Sequence, residues 1–164
     1  AIFALQSNPR VLRYWDAPPW RERAQAERFI VRCQQMAQAG SGARLAIERT
    51  ADGMFIGWCV LMNWDPTYRS AMLGYCLDES AWGQGFATEA AARLMRHGFT
   101  KGGIKSFTGC HFADNPHSGR VLQKLGFRAK GACTGWCEAR QQDLPTVTYE
   151  RRRSWTQTIR ALAS

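Results

Sequence analysis

Residues 72–90 read M-L-G-Y-C-L-D-E-S-A-W-G-Q-G-F-A-T-E-A, and in this stretch a strand-like run passes directly into a helix-like run. The apolar run 72–77 is short, whereas apolar residues recur at helical spacing across 86–99. Gly83 and Gly85 fall at the joint, where glycine permits a tight turn and a close approach to a ligand. The first N–H groups of a helix are unpaired and carry partial positive charge, so the joint is a candidate phosphate or diphosphate site. The same pattern is also typical of an ordinary strand-to-helix connection.

A second motif, D-N-P-H-S-G-R-V-L-Q-K-L-G-F, occupies residues 114–127. Asn115 suits a helix N-cap, and Pro116 suits the first helical position, which needs no N–H. Gly126 suits the residue just past the end of a helix. The predicted elements here are a helix over 115–125 and strands over 104–112 and 127–138.

The remaining pattern predicts one α/β domain over residues 1–164. Asp52-Gly53 lies between two strand-like runs and is a hairpin signal. Strands that precede helices, with antiparallel pairs before and after them, predict a mixed sheet. The other predicted elements are short helical pieces at 1–5 and 11–15, a helix over 20–39, and strands over 44–50, 54–63, 69–77 and 145–154.

The composition suits a folded protein with a polyanionic partner. The chain has 22 Lys and Arg against 13 Asp and Glu, which gives a net charge of +9. This balance favours a phosphate-rich cofactor or RNA, although a basic surface without a specific partner has the same charge. No apolar run approaches the roughly 20 residues of a membrane helix and no signal peptide is seen, so we expect a cytoplasmic protein. The six cysteines lack C-x-x-C pairs and zinc-ligand spacing, which favours thiols over disulfides and predicts no metal site.

In this order and spacing, the two motifs resemble those of the GNAT N-acetyltransferase superfamily. The stretch 73–90 is similar, nearly residue for residue, to the cofactor-binding motif of its RimJ/RimL-like branch, which acetylates protein N-termini and other amines. The resemblance runs from about Arg44 to Trp155. It implies the GNAT fold, in which helices flank a twisted, mostly antiparallel sheet that splays at its middle. Relatives begin with a strand, whereas this chain opens with a helix-like run, so we expect that first strand to be absent from the numbered chain.

The resemblance also implies that the chain binds acetyl-CoA. The family binds the diphosphate with backbone N–H groups, here those of 83–88, and pairs the pantetheine arm with a splayed strand, here the one ending at Leu77. Thr88 suits a helix cap equally well. The expected cofactor-binding residues are Tyr75, Cys76, Leu77, Trp82, Gly83, Gln84, Gly85, Phe86, Ala87, Thr88, Asn115, Ser118 and Lys124.

Ser118 is the expected catalytic acid. It falls in the first turn of the second-motif helix, where the helix dipole favours developing negative charge on a leaving thiolate. Asn115 resembles the family residue that bonds the pantetheine arm, although N-capping alone also explains it. Lys124 either reaches the 3′-phosphate of the cofactor or is only a surface lysine.

The base is not evident from the sequence. The branch often carries Glu where this chain has Met72, and a thioether cannot accept a proton. His111 is a candidate because histidine titrates near neutral pH, although a strand histidine is more often structural. Tyr75 is a further catalytic candidate, and alternatively water takes the proton.

These features predict direct acetyl transfer, in a ternary complex, to a primary amine. The amine belongs to a protein N-terminus, such as that of a ribosomal protein, or to a small molecule. The alternative is a non-catalytic acyl-CoA-binding or RNA-binding module on the same fold, in keeping with Met72 and the basic charge. We expect a monomer or a homodimer.

Overall fold

The computed structural model describes residues 1–15 and 17–153. The helices are α1 (Ile2–Ser7), α2 (Pro9–Leu12), α3 (Arg23–Gln38), α4 (Phe86–Thr100) and α5 (Pro116–Lys124). The strands are β1 (Ala43–Arg49), β2 (Met54–Asp65), β3 (Ser70–Leu77), β4 (Ser106–Phe112), β5 (Arg128–Cys137) and β6 (Gln142–Arg152). A 3-10 turn, Glu79–Ala81, lies between β3 and α4. The predicted end of the last strand at Ser154, and Trp155, lie outside the described residues.

The strands of the described residues form one mixed sheet in the order β1-β2-β3-β4-β6-β5, which confirms the predicted fold class. Every neighbouring pair is antiparallel except β3 and β4. The parallel register of β3 with β4 ends after three residue pairs, the last of which is Met72 with Thr108. β3 nevertheless continues to Leu77 beside β2, and β4 continues to Phe112 beside β6. The predicted splay is therefore confirmed and lies between these two strand ends.

Helices cover the sheet on both faces. Side chains alternate between the two faces along each strand, so each face presents apolar residues that a helix can bury. On one face α4 and α5 lie over a core that includes Leu73, Leu77 and Phe107. On the other face α1–α3 lie over β1–β3, in a core that includes Val60 and Cys76. Odd-numbered residues of β3 therefore point toward α4 and α5, and even-numbered residues point the other way.

The first predicted helical piece is confirmed as α1, whereas the second is shifted, because α2 begins at Pro9 and ends at Leu12 and not at the predicted 11–15. Asn8 separates them as an N-cap, since its side chain accepts from the Arg10 N–H at 2.9 Å. α3 begins at Arg23, not at the predicted position 20. Its start is set by Gln25, whose Oε1 accepts from the Glu22 N–H at 2.9 Å.

β6 begins at Gln142, before its predicted start at Pro145. Proline usually interrupts a central strand because it has no N–H. Here the Ala113 N–H donates to the Pro145 carbonyl at 2.7 Å, just past the end of β4. The missing N–H of Pro145 faces the same side as its carbonyl, so one hydrogen bond is lost at the end of the ladder with β4. β6 continues past the proline because residues 142–144 pair with β5 on the other side.

Several cysteines contribute to the core as thiols. Cys59, Cys76 and Cys137 are buried. Burial raises the pKa of the Cys59 thiol to about 11 and that of Cys76 to about 12, so both stay protonated at neutral pH. Across the part of the chain that the structure describes, no helix is long and apolar enough to cross a membrane.

The packing of α4 on β4 predicts the effect of Gly98→Ala. A Cβ at Gly98 would lie 2.7 Å from Phe107 Cζ and 3.1 Å from Ile104 Cδ1. Phe107 is fully buried and packs edge-on against Phe99 with 4.7 Å between ring centroids, so it cannot move aside easily. Alanine in place of glycine normally stabilises a helix by about 1 kcal/mol. At this position we expect a loss of about 1–3 kcal/mol in the free energy of unfolding.

Urea unfolding measures this change. The control is Gly131→Ala in β5, where an added Cβ meets nothing within 4 Å, and where we expect a change within about 0.5 kcal/mol. A stabilised Gly98→Ala would contradict the close contact between α4 and β4.

Candidate active site

Backbone groups of alternate β3 residues face the gap between β3 and β4. The Asp78 N–H donates to the Ile56 carbonyl at 2.9 Å, and hydrogen-bonded pairs in an antiparallel ladder recur at every second residue. Cys76 therefore pairs its backbone with β2, whereas Tyr75 and Leu77 direct their N–H groups toward the gap. The structure thus brings two of the three predicted strand residues to the gap. Cys76 does not reach it, and its side chain is 3% exposed in the core on the other face.

Trp82 fixes the start of the glycine loop. Its indole Nε1 donates to the carbonyl oxygen of Leu77, the last residue of β3, at 2.8 Å. Between them, Asp78 caps the 3-10 turn, since its Oδ1 accepts from the Ser80 N–H at 3.0 Å. The Gln84 side chain donates to the Ser80 carbonyl at 2.6 Å. The loop is therefore held against the end of β3, beside the mouth of the gap.

The loop presents six consecutive backbone N–H groups, of residues 83–88, that find no hydrogen-bond acceptor among the described residues. Gly83 (φ +74°) and Gly85 (φ +88°) adopt the left-handed conformation that favours glycine. A Cβ at either glycine would meet nothing within 4 Å, so the outer side of the loop is open. Gly85 is the N-cap of α4, and the positive end of the helix dipole adds to the unpaired N–H groups. This arrangement is suited to a diphosphate.

The side chains at the start of α4 have separate roles. Phe86 and Ala87 are half-buried against the core beneath α4. The Thr88 hydroxyl makes no capping hydrogen bond, so the capping explanation of this residue is not supported within the described chain.

A hydroxyl pair spans the gap from β3 to α5. The Tyr75 hydroxyl lies 2.9 Å from Ser118 Oγ and 3.1 Å from the Ser118 carbonyl oxygen. Asn115 Oδ1 accepts from the Ser118 N–H at 3.4 Å, which confirms Asn115 as the N-cap and places Ser118 in the first turn of α5. Burial raises the pKa of Tyr75 to about 12, so its hydroxyl is protonated at neutral pH. Sequence spacing gave no signal for this pair, because 43 positions separate the two residues.

His111 lies beneath α5 and is held by other groups. Its Nδ1 is 2.8 Å from the Phe112 carbonyl oxygen and its Nε2 is 3.3 Å from the Tyr149 hydroxyl. A carbonyl only accepts, so Nδ1 donates to the Phe112 carbonyl oxygen. A Cβ at Gly119 would lie 2.6 Å from Nε2, so the ring fills the space under the helix. The structure therefore does not join His111 to the hydroxyl pair by a hydrogen bond.

The carboxylates next to the loop are engaged elsewhere. Glu79 accepts from Asn8 Nδ2 at 3.0 Å and lies 3.2 Å from Arg10 Nη1, which ties the loop to the first helices. Glu89 pairs with Arg93 on the exposed side of α4. Lys124 is exposed in the last turn of α5, away from the hydroxyl pair. No group of three or more His, Cys, Asp or Glu that could hold a metal occurs within the described residues.

A cavity of about 460 Å³ lies on the face of the sheet opposite α4 and α5, at the level where β3 and β4 stop pairing. No sequence motif indicated this cavity. Alternation along a strand predicts which of its residues share a face. Only the order of the strands in the sheet brings the residues of β3, β4 and β6 next to one another. The residues lining it are Met72, Thr108, Gly109, Cys110, Lys130, Thr148, Tyr149, Glu150 and Arg152.

Comparisons with known proteins agree with this geometry. The family model "Acetyltransferase (GNAT) domain" matches residues 1–128. The uncharacterized N-acetyltransferase YoaA of Bacillus subtilis (strain 168) is 32% identical over 131 residues, which are 80% of this chain and 74% of that protein. The structure of the ribosomal L7/L12 alpha-N-protein acetyltransferase RimL with coenzyme A superposes with a TM-score of 0.81 at 21% identity, over 92% of this chain and 86% of that one. The spermidine N-acetyltransferase of Vibrio cholerae with CoA and spermine gives 0.75 at 20% identity, over 90% and 86%.

The buried hydroxyl of Tyr75 predicts a pH dependence of stability. The pKa of this residue is raised from 10.0 to about 12 in the folded chain, so above pH 10 the unfolded state loses its proton first. The contribution of this hydroxyl to the free energy of unfolding is therefore fully present below pH 10 and is lost as the pH rises toward 12. Over that interval the free energy of unfolding of the wild type should fall by up to about 1.4 kcal/mol per pH unit more than that of Tyr75→Phe.

Urea unfolding of both proteins at a series of pH values from 8 to about 11 measures the difference. Tyr68→Phe is the control, because the Tyr68 residue is 77% exposed, and it should keep the wild-type pH slope. Equal slopes for the wild type and Tyr75→Phe would show that the hydroxyl is not buried as described.

Proposed function

The chain belongs to the GNAT acetyltransferase family, and from this premise we propose that it transfers an acetyl group from acetyl-CoA to a primary amine. The transfer is direct, within a ternary complex of enzyme, acetyl-CoA and amine. The observation that carries the proposal is the row of unpartnered N–H groups at 83–88 beside the gap between β3 and β4.

The described residues fit acetyl-CoA. The unpartnered amides would hold its diphosphate, and the open space around Gly83 and Gly85 leaves room for that group. The N–H groups of Tyr75 and Leu77 would bind the extended pantetheine arm in the gap, as a strand binds its neighbour. Asn115 would bind that arm, and Lys124 would bind the 3′-phosphate. The basic charge of +9 favours such a polyanion.

Acetyl-CoA supplies an acetyl thioester, whose transfer to an amine releases a thiolate. The acetylated end of the arm would lie deeper in the gap, away from the glycine loop, where the Tyr75 N–H would donate to the acetyl oxygen as its charge develops. The hydroxyl pair of Tyr75 and Ser118 would donate to the sulfur, where the N-terminal dipole of α5 also favours negative charge. Both hydroxyls are protonated at neutral pH, so the donor is ready before transfer begins.

Water would take the proton from the attacking amine. Both ring nitrogens of His111 are already hydrogen-bonded, and Met72 has no basic atom. His111 would then support α5 from below and so help to position Ser118.

The finer assignment follows the same reasoning. We place the chain in the RimJ/RimL-like branch because the stretch 73–90 resembles the motif of that branch. Its acceptor is then a protein N-terminus, such as that of a ribosomal protein, or a small amine. We further propose a single domain over residues 1–164 that acts in the cytoplasm as a monomer or homodimer.

Gly85→Ala tests the loop. At φ +88° an alanine is strained by about 1–2 kcal/mol, and its methyl group would intrude on the bound diphosphate. We expect an at least tenfold weaker binding of acetyl-CoA by calorimetry, and a smaller rise in melting temperature on adding acetyl-CoA.

The control is Gly53→Ala in the β1–β2 hairpin. Gly53 has φ +69° and the same open surroundings, so it has a similar strain without any role in the loop. Unchanged acetyl-CoA affinity in Gly85→Ala would remove the loop from the cofactor site.

Ser118→Ala and Tyr75→Phe test the proton donor. Each removes one hydroxyl of the pair, so we expect kcat to fall by about 10-fold to 100-fold while the dissociation constant of acetyl-CoA changes little. A screen of thiol release with amines and N-terminal peptides measures turnover, with Tyr68→Phe as the control. Full turnover in both variants would assign the donor elsewhere.

A further inference from the structure

We propose that the cavity on the sheet face opposite α5 binds the acceptor, and that it selects a primary amine bearing an anionic group on the same small molecule. This inference rests on the proposed function and names its substrate class. Three charged side chains line the cavity, those of Glu150, Lys130 and Arg152.

The cavity lies where an acceptor must lie to reach the gap. Met72 pairs with Thr108 at the last level of the parallel ladder, and Thr108 pairs with Glu150 on β6. The three residues thus form a row across three neighbouring strands, about 5 Å apart from strand to strand. An acceptor seated over this row approaches the gap from the face opposite the glycine loop.

Glu150 supplies the carboxylate for the ammonium group of the acceptor. Its side chain is only 20% exposed, at the floor of the cavity, so it is fixed in place. Oε1 lies 3.0 Å from Arg152 Nε and Oε2 lies 3.6 Å from Lys130 Nζ. A carboxylate has about four lone-pair positions, so one cation on each oxygen leaves room for a further donor. The carboxylate that the sequence lacks at Met72 is therefore present two strands away.

Lys130 and Arg152 supply the positive charges for the anionic group of the acceptor. Their side chains are 59% and 77% exposed at the rim, and each uses one donor on Glu150. The remaining N–H groups of an ammonium and a guanidinium are free to bind a carboxylate or phosphate. The two cations outnumber the one anion, so a polyamine, which carries several positive charges, is repelled. An amine that also carries a negative charge satisfies both parts of the site.

An acceptor series separates these classes. The probes are alanine, alaninamide, phosphoethanolamine and spermidine, each tested with acetyl-CoA by thiol release and, with CoA-saturated protein, by ligand-observed NMR. We expect kcat/KM for alanine or phosphoethanolamine to exceed that for alaninamide and spermidine by at least about tenfold. The better of the two anionic amines identifies the anionic group.

Variants assign the preference to the cavity. Arg152→Gln should bring the ratio of alanine to alaninamide close to one, and Glu150→Gln should raise KM for every amine without changing acetyl-CoA affinity. Arg93→Gln is the matched control, because Arg93 is also 77% exposed and also pairs with one glutamate, but on α4. It should keep the wild-type ratio.

The outcomes distinguish the inference from the proposed function. Equal use of all four amines, a preference for spermidine, or a preference that survives Arg152→Gln would overturn the inference and leave the transferase intact. Binding of the anionic amines that depends on Glu150, without any thiol release, would support the cavity and overturn the transferase. Neither binding nor release with any of the four probes would overturn the inference alone, because the proposed function also admits a protein N-terminus as acceptor, which the N-terminal peptides test separately.

Discussion

The short parallel contact between β3 and β4 is the constraint on which the rest of the structure depends. Only three residue pairs join these strands, while each keeps its antiparallel partner on the outer side. The backbone groups of Tyr75 and Leu77 therefore point into a gap instead of a ladder. Unpaired backbone groups in a protein interior are costly and seek a partner. A sheet that is held open in this way is suited to bind an extended ligand, which would lie between the two strands and pair with their backbone groups.

The other parts of the site are arranged around the open end of that gap. Trp82 bonds the end of β3 and thereby holds the glycine loop at one side of the gap, where α4 begins. Ser118, in the first turn of α5, meets Tyr75 from the opposite side. Two helix N-termini thus converge on one opening, and both favour negative charge. The cavity with Glu150 opens on the reverse face of the same sheet. Two ligands can therefore approach one level of the sheet from opposite sides.

Local signals predicted most of the elements. The helix-like run that follows the glycine joint is observed as Phe86–Thr100, because a glycine in the left-handed conformation and a clear apolar face define it without help from distant residues. The hairpin at Asp52-Gly53 and the N-cap Asn115 were predicted for similar reasons. The start of β6 was misjudged, because the missing N–H of Pro145 faces only the end of β4 and residues 142–144 still pair with β5. Cys76 directs its backbone groups to β2 and not to the gap, which the sequence did not indicate because the direction of a strand residue's N–H depends on its pairing partner.

The sequence by itself determined the two motifs, the order of the strands and helices along the chain, and the family that the motifs resemble. Each of these rests on residues that are close together in the chain. Only the tertiary structure decided which backbone groups stay unpaired, which hydroxyl meets Ser118, and that Glu150 shares a cavity with Met72. These facts depend on contacts across the sheet. The 43 positions between Tyr75 and Ser118 leave no periodic trace in the sequence. Strand register, which a linear pattern does not contain, brings such residues together.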